Sequence, residues 1–178
     1  MKKIITLLFS CLVSATAFTQ VFNTGQTLDR KQFVVGLNPA IHLSGPSHGI
    51  NLLIHGGYGL KTDIDLAVKI GLGSEYYFGA DVEWGLLENI SLTTGLHMFN
   101  DFGLDATLNL TLPIRGDVYL YSGFDMDIAF GNRVYLPCWI PIGVEIELRN
   151  NMSFILEGDI GLTDSSYHII NGGIRFYL

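Results

Sequence analysis

Three features predict an all-β fold, namely a closed, antiparallel, up-and-down transmembrane β-barrel of about ten strands, with eight as the alternative. Apolar and polar residues alternate from Phe33 to the last residue, most plainly where Ile64, Leu66, Val68, Ile70 and Leu72 interleave with Asp65, Ala67, Lys69, Gly71 and Gly73. Brief turn signals interrupt that alternation at short intervals. The non-apolar face is studded with glycines, which weaken a strand and are poor choices for one facing bulk water.

The elements follow in chain order. Residues 33–43 place Phe33, Val35, Leu37, Ile41 and Leu43 on one face, and residues 50–60 do so with Ile50, Leu52, Ile54, Tyr58 and Leu60. The segment 64–73 is the third strand, and 77–87 the fourth, through Phe78, Ala80, Val82, Trp84 and Leu86. Residues 90–98 and 104–112 form the fifth and sixth, the latter alternating Leu104, Ala106, Leu108, Leu110 and Leu112 with Asp105, Thr107, Asn109 and Thr111. Strands over 118–129, 138–148, 153–162 and 169–178 complete the set. No stretch has helical periodicity.

The connections GPSHG, KTD, SEYY, LEN, NDFG, RGD, GNRVY, RNN and TDSSYH are short, so successive strands are antiparallel neighbours. An open sheet with one wholly apolar face would leave two edges free to aggregate, and closure removes both. Pro39 and Pro141 fall inside strands and cannot donate to a ladder, so each marks a bulge or a locally broken pair.

Either face of such a barrel could meet water. The polar face carries Gly36, Gly57, Gly59, Gly71, Gly73, Gly79, Gly85, Gly95, Gly123, Gly143, Gly161 and Gly173, which suits a crowded interior. The apolar face carries no charge, as a lipid-facing band requires, and each strand is long enough to cross a bilayer at a tilt. Aromatics gather toward the strand ends: Phe33, Tyr58, Trp84, Tyr119, Phe154 and Phe176 at one rim, and Tyr76, Phe78, Phe99, Phe102, Phe130, Tyr135 and Tyr167 at the other. The alternative is a soluble, lipid-carrier-like barrel with the apolar face inside.

Composition agrees with the lipid-facing reading. The 178 residues are 48% hydrophobic and only 15% charged, with 21 glycines, and mean hydropathy is +0.35. Residues 1–17 read as a signal peptide: Lys2 and Lys3, an apolar core, then Ala15-Thr16-Ala17, with cleavage expected between 17 and 20. Lipidation at Cys11 is the rival processing route. Residues 18–32 are a short, polar periplasmic lead-in to a barrel over 33–178. Losing Lys2 and Lys3 moves the formal charge from −7 to −9, which argues against nucleic acid as a partner. Loss of Cys11 leaves Cys138 alone, with no internal disulfide or cysteine-based zinc site.

With its leader, its meander, hairpins such as GADVEWGLLENISLTTGLHM and its closing GGIRFYL, the chain resembles the small bacterial outer-membrane β-barrel proteins, including porin-like barrels. That resemblance implies residence in a Gram-negative-type outer membrane among its lipids. It also implies delivery by periplasmic chaperones and insertion by the barrel-assembly machinery. The machinery reads an alternating apolar C-terminus, here Ile174, Phe176 and Leu178, although the family's terminal aromatic is replaced by leucine. With both termini periplasmic, as the family implies, KTD, LEN, RGD and RNN are periplasmic turns.

The interior is expected to hold Asp65, Asp81, Glu83, Asp105, Asp125, Asp127, Glu145, Glu147, Glu157 and Asp159 with Lys69 and Arg175. A solid interior of ion pairs would make the barrel structural. A narrow passive path would prefer cations, because acids outnumber their partners. A third reading is an enzyme acting on lipid or peptide at the outer rim, where His42, His48, His97 and His168 fall near Asp101, Asp105, Asp164, Ser165 and Ser166. No motif with catalytic spacing supports it, and no catalytic residue, metal or cofactor is assigned.

Overall fold

The computed structural model describes residues 24–43, 49–74, 76–99 and 101–178. The signal peptide and its cleavage region lie outside the described residues. Eleven strands form one sheet: β1 (Phe33–His42), β2 (Ile50–Lys61), β3 (Ile64–Gly73), β4 (Tyr77–Leu87), β5 (Ile90–Phe99), β6 (Asp101–Arg115), β7 (Val118–Phe130), β8 (Val134–Tyr135), β9 (Cys138–Arg149), β10 (Met152–Gly161) and β11 (Ile169–Tyr177). Each long strand pairs antiparallel with its sequence neighbours, and β1 with β11 joins the ends of the chain into a closed ten-stranded meander. The two-residue β8 continues the ladder of β9 along β7 in the same register, and the Asp127 N–H donates to the Pro137 carbonyl between them. Carrying one position round the closed ladders displaces it by about 12 residues, which sets a strand tilt of roughly 40°.

Alternation becomes inside and outside without slipping. Leu37, Val68, Leu108 and Leu156 stand on the outer surface, 45–52% exposed, while Asn38, Lys69, Asn109 and Glu157 beside them are buried. The interior is therefore the polar side, and the carrier-like alternative with an oily core is overturned. Four tight turns, at residues 62–63, 88–89, 116–117 and 150–151, share one end with both ends of the sheet. Connections of uneven length lie at the other end, from the single residue between β5 and β6 to residues 162–168 between β10 and β11.

The prolines interrupt ladders without shifting them. Pairing of β1 with β11 runs from Leu37–Ile174 to Ala40–Asn171 in one register, with Asn38 and Pro39 skipped. Pairing of β7 with β9 skips from Ser122–Ile142 to Asp125–Trp139, and the Ser122 hydroxyl donates to the Pro141 carbonyl at 2.8 Å. Both are broken pairs rather than bulges.

Two expectations need correction. The sixth strand starts three residues earlier and ends three later than its leucine alternation suggested, because Phe99 pairs directly with Asp101, and Asp101, Phe102 and Gly103 belong to the strand. Three aromatics assigned to the rims also point inward: Phe99 and Tyr167 are buried in the outer half, and Tyr119 lines the mouth at the turn end. Other rim aromatics do face outward as pairs, with Phe33 and Tyr58 centroids 4.5 Å apart and Phe102 and Phe130 at 5.9 Å.

Candidate functional site

The lumen fills in three levels. Nearest the turns lies an open mouth with a cavity of about 730 Å³. A strap of residues 24–32 lies across part of this mouth. Gly25 N donates to Thr111 Oγ1 at 2.7 Å and Leu28 N to Asp65 Oδ2 at 2.5 Å. Lys31, in a left-handed conformation at φ 70°, turns the strap into β1 and donates its N–H to the Gly59 carbonyl at 2.7 Å. The strap fits because the wall beneath it lacks side chains. A Cβ on Gly59 would stand 2.0 Å from the Asp29 carbonyl oxygen, and one on Gly57 would press Leu28. At the mouth's floor Arg175 Nη1 lies 3.6 Å from Glu145 Oε2, whose other oxygen accepts from Ser153 at 2.5 Å and Tyr177 at 2.7 Å. Glu147, expected inside with the other acids, is exposed on the mouth's edge.

The middle level is a continuous polar packing. Lys69 Nζ sits 2.6 Å from Asp81 Oδ2, both almost wholly buried. Thr107 donates to Asp125 at 2.5 Å, Ser91 to Glu83, and Asn109 to Thr93 at 3.1 Å. Asn171 donates to Glu157 at 2.9 Å and reaches Asp159 at 3.4 Å. His97 stands between Asp105 and Asp127, with N–O distances of 3.9 and 3.7 Å. Burial this complete is costly for a charge without a partner; neighbouring walls supply one to Lys69, Asp81, Asp125 and Glu157, whereas neither oxygen of Asp127 accepts a hydrogen bond among the described residues.

Glycines make that density possible. Gly36 faces His55 across the β1–β2 ladder, Gly103 faces His97 across β5–β6, and Gly143 faces Tyr121 across β7–β9. In each pair the ring lies over the glycine, so that a Cβ there would fall 1.9, 2.2 and 2.2 Å from ring atoms. The glycine face is thus a set of berths for the rings of adjacent strands.

Toward the long-loop end the lumen turns apolar. Ala40, Leu53, Tyr77, Phe99, Tyr167 and Ile169 form one buried cluster. Trp139, 1% exposed, closes against it by donating Nε1–H to the Tyr167 carbonyl at 2.9 Å. Sequence reasoning missed this layer, although a signal existed. Alternation fails where Leu53 sits between Leu52 and Ile54, Tyr77 between Tyr76 and Phe78, and Ile169 beside Ile170. A doubled apolar position in a strand must put one residue inside.

Two of the outer-rim residues accept backbone hydrogen bonds locally. Ser166 Oγ accepts the Cys138 N–H at 2.8 Å, and His168 Nδ1 accepts that of Gly161 at 3.2 Å. His42 and His97 point into the lumen, and His48 lies outside the described residues. At the chain's end Ile174 and Phe176 face outward on β11, and Leu178 pairs its backbone with Phe33.

No protein-family profile matches the chain, and no curated protein matches it in sequence. Its likeness to solved structures includes outer-membrane β-barrel proteins. A de novo designed transmembrane β-barrel shares 10% identity over 86% of this chain and 100% of its own, at a TM-score of 0.49. KdgM porin shares 11% over 80% and 98%, at 0.49. The N-terminal β-barrel domain of Pseudomonas aeruginosa OprF shares 14% over 85% and 100%, at 0.42.

Proposed function

We propose that the chain is an integral outer-membrane barrel with a structural role and a lumen shut to solutes. The observation that carries this reading is the succession of a packed polar interior and an apolar layer around Leu53, Tyr77, Phe99 and Ile169, inside a surface of exposed leucine, isoleucine and phenylalanine. A barrel of about eight strands is just filled by side chains, while water-filled channels belong to roughly 16 or more. Ten strands whose interior is occupied by buried rings and polar side chains belong with the filled class. An outer surface this apolar is stable against acyl chains and not against water. The end that carries the four two-residue turns and the start of β1 is the periplasmic one in this reading, with surrounding lipids and the assembly machinery as partners.

The second reading, a cation-preferring path, draws on the excess of lumen carboxylates over Lys69 and Arg175. Planar-bilayer recording of the refolded mature chain at neutral pH separates the two. A silent bilayer is expected, and steady conductance with a cation-shifted reversal potential would overturn the shut lumen.

A further inference from the structure

The mouth at the turn end has an uncommon charge arrangement. Asp29, Asp63, Glu88, Glu145 and Glu147 border it, against only Arg149 and Arg175. Arg175 is 6% exposed and uses Nη1 toward Glu145, yet its Nε and Nη2 make no hydrogen bond among the described residues. Those two nitrogens form the edge of a guanidinium that grips a carboxylate through parallel hydrogen bonds. A buried donor left unmatched is costly, and a guanidinium edge doubly so. Arg175 borders both the large mouth cavity and a hollow of about 40 Å³ behind the strap. Thr24, Gln26 and Leu28 of the strap border both as well, and Asp65 and Glu83 line the hollow.

We propose that this mouth binds a small zwitterionic solute of amino-acid or short-peptide size. Its carboxylate takes the Nε/Nη2 edge of Arg175 when Gln26, itself exposed, swings aside. Its ammonium lies among the carboxylates of the rim, with Glu147 the exposed acid on the same strand as Glu145. A plain anion would be repelled by the ring of acids before reaching the arginine, whereas a zwitterion carries its own counter-charge. A cavity of about 730 Å³ lies within the range that small-molecule sites occupy. The site faces the side of the chain ends, is separate from the shut lumen above it, and stands whether or not that lumen conducts.

The test is isothermal titration of the refolded, full mature chain in detergent micelles with the tripeptide Ala-Ala-Lys, its C-terminal amide, and sodium acetate. Saturable binding of the tripeptide is expected, at least tenfold weaker for the amide and absent for acetate at equal concentration. Arg175→Lys keeps the charge but loses the two-pronged edge, and it should weaken the tripeptide about tenfold. Absence of saturable binding at millimolar tripeptide would overturn the proposal and leave the hollow to a single water molecule. Equal affinity for acid and amide, or an Arg175→Lys protein that binds like the parent, would overturn it too. Should Arg175→Lys not fold, the acid and amide pair on the parent protein still decides.

Discussion

Replacing Gly143 with alanine tests whether the interior glycines are berths for rings. An added Cβ would fall 2.2 Å from Tyr121 Cζ and 2.4 Å from its hydroxyl oxygen, and Tyr121 is 2% exposed. To regain ordinary contact the ring must retreat by about 1.2 Å into a filled lumen, and overpacking of this kind costs about 1–3 kcal/mol. Loss of the glycine's freedom in the unfolded chain returns about 0.4–1 kcal/mol. At the middle of both ranges a net loss of about 1.3 kcal/mol remains. The control is Gly158→Ala on the outer face, where the nearest atom to the new Cβ is the Ile169 carbonyl oxygen at 3.9 Å. There only the unfolded-state effect acts, and stability should rise by about 0.4–1 kcal/mol. Equilibrium urea unfolding in detergent or lipid vesicles, followed by the fluorescence of Trp84 and Trp139, reads both. Gly143→Ala should move the midpoint down with an unchanged m-value, and Tyr121→Ala in the same chain should recover part of the loss. The reasoning fails if Gly143→Ala is as stable as the parent or if the two alanines shift the midpoint equally.

Two further outcomes follow from the charge and lipid faces. Lys69→Met leaves Asp81 buried beside an apolar group and should cost about 3–5 kcal/mol in the same urea assay, whereas Lys69→Met with Asp81→Leu should restore most of it. Leu108, 49% exposed at the middle of β6, should lose about 2–4 kcal/mol on change to arginine in vesicles, and less for an arginine at Ile114 near the strand end.

Much of the fold was legible because alternation is a local property. The third and fourth strands have the very limits their patterns suggest, since KTD and the SEYY segment break the alternation sharply. Strand six was cut short because its ends leave the strict pattern: Gly103 and Asp101 face inward near a one-residue connection, and Pro113 and Ile114 lie at a register shift. Which face each acid occupies could likewise be read from parity. Which acid meets which cation could not, because Lys69 and Asp81 lie diagonally across a ladder, and Glu145 and Arg175 are two strands apart. The strap over 24–32 had no signal of its own. Its place depends on Gly57 and Gly59, which the sequence offers only as two more glycines among many.

The interrupted ladder at Pro39 bears on how the cylinder is made. Every other long strand finds its partner next to it in the chain, but β1 and β11 must meet across more than a hundred residues, the most expensive loop in the molecule to close. That join is also interrupted at Asn38 and Pro39, as β7 with β9 is between Ser122 and Asp125, so its long closure is not offset by a longer ladder. An outside strand offered to that edge would compete on favourable terms, and a helper that holds the two ends together would contribute most there.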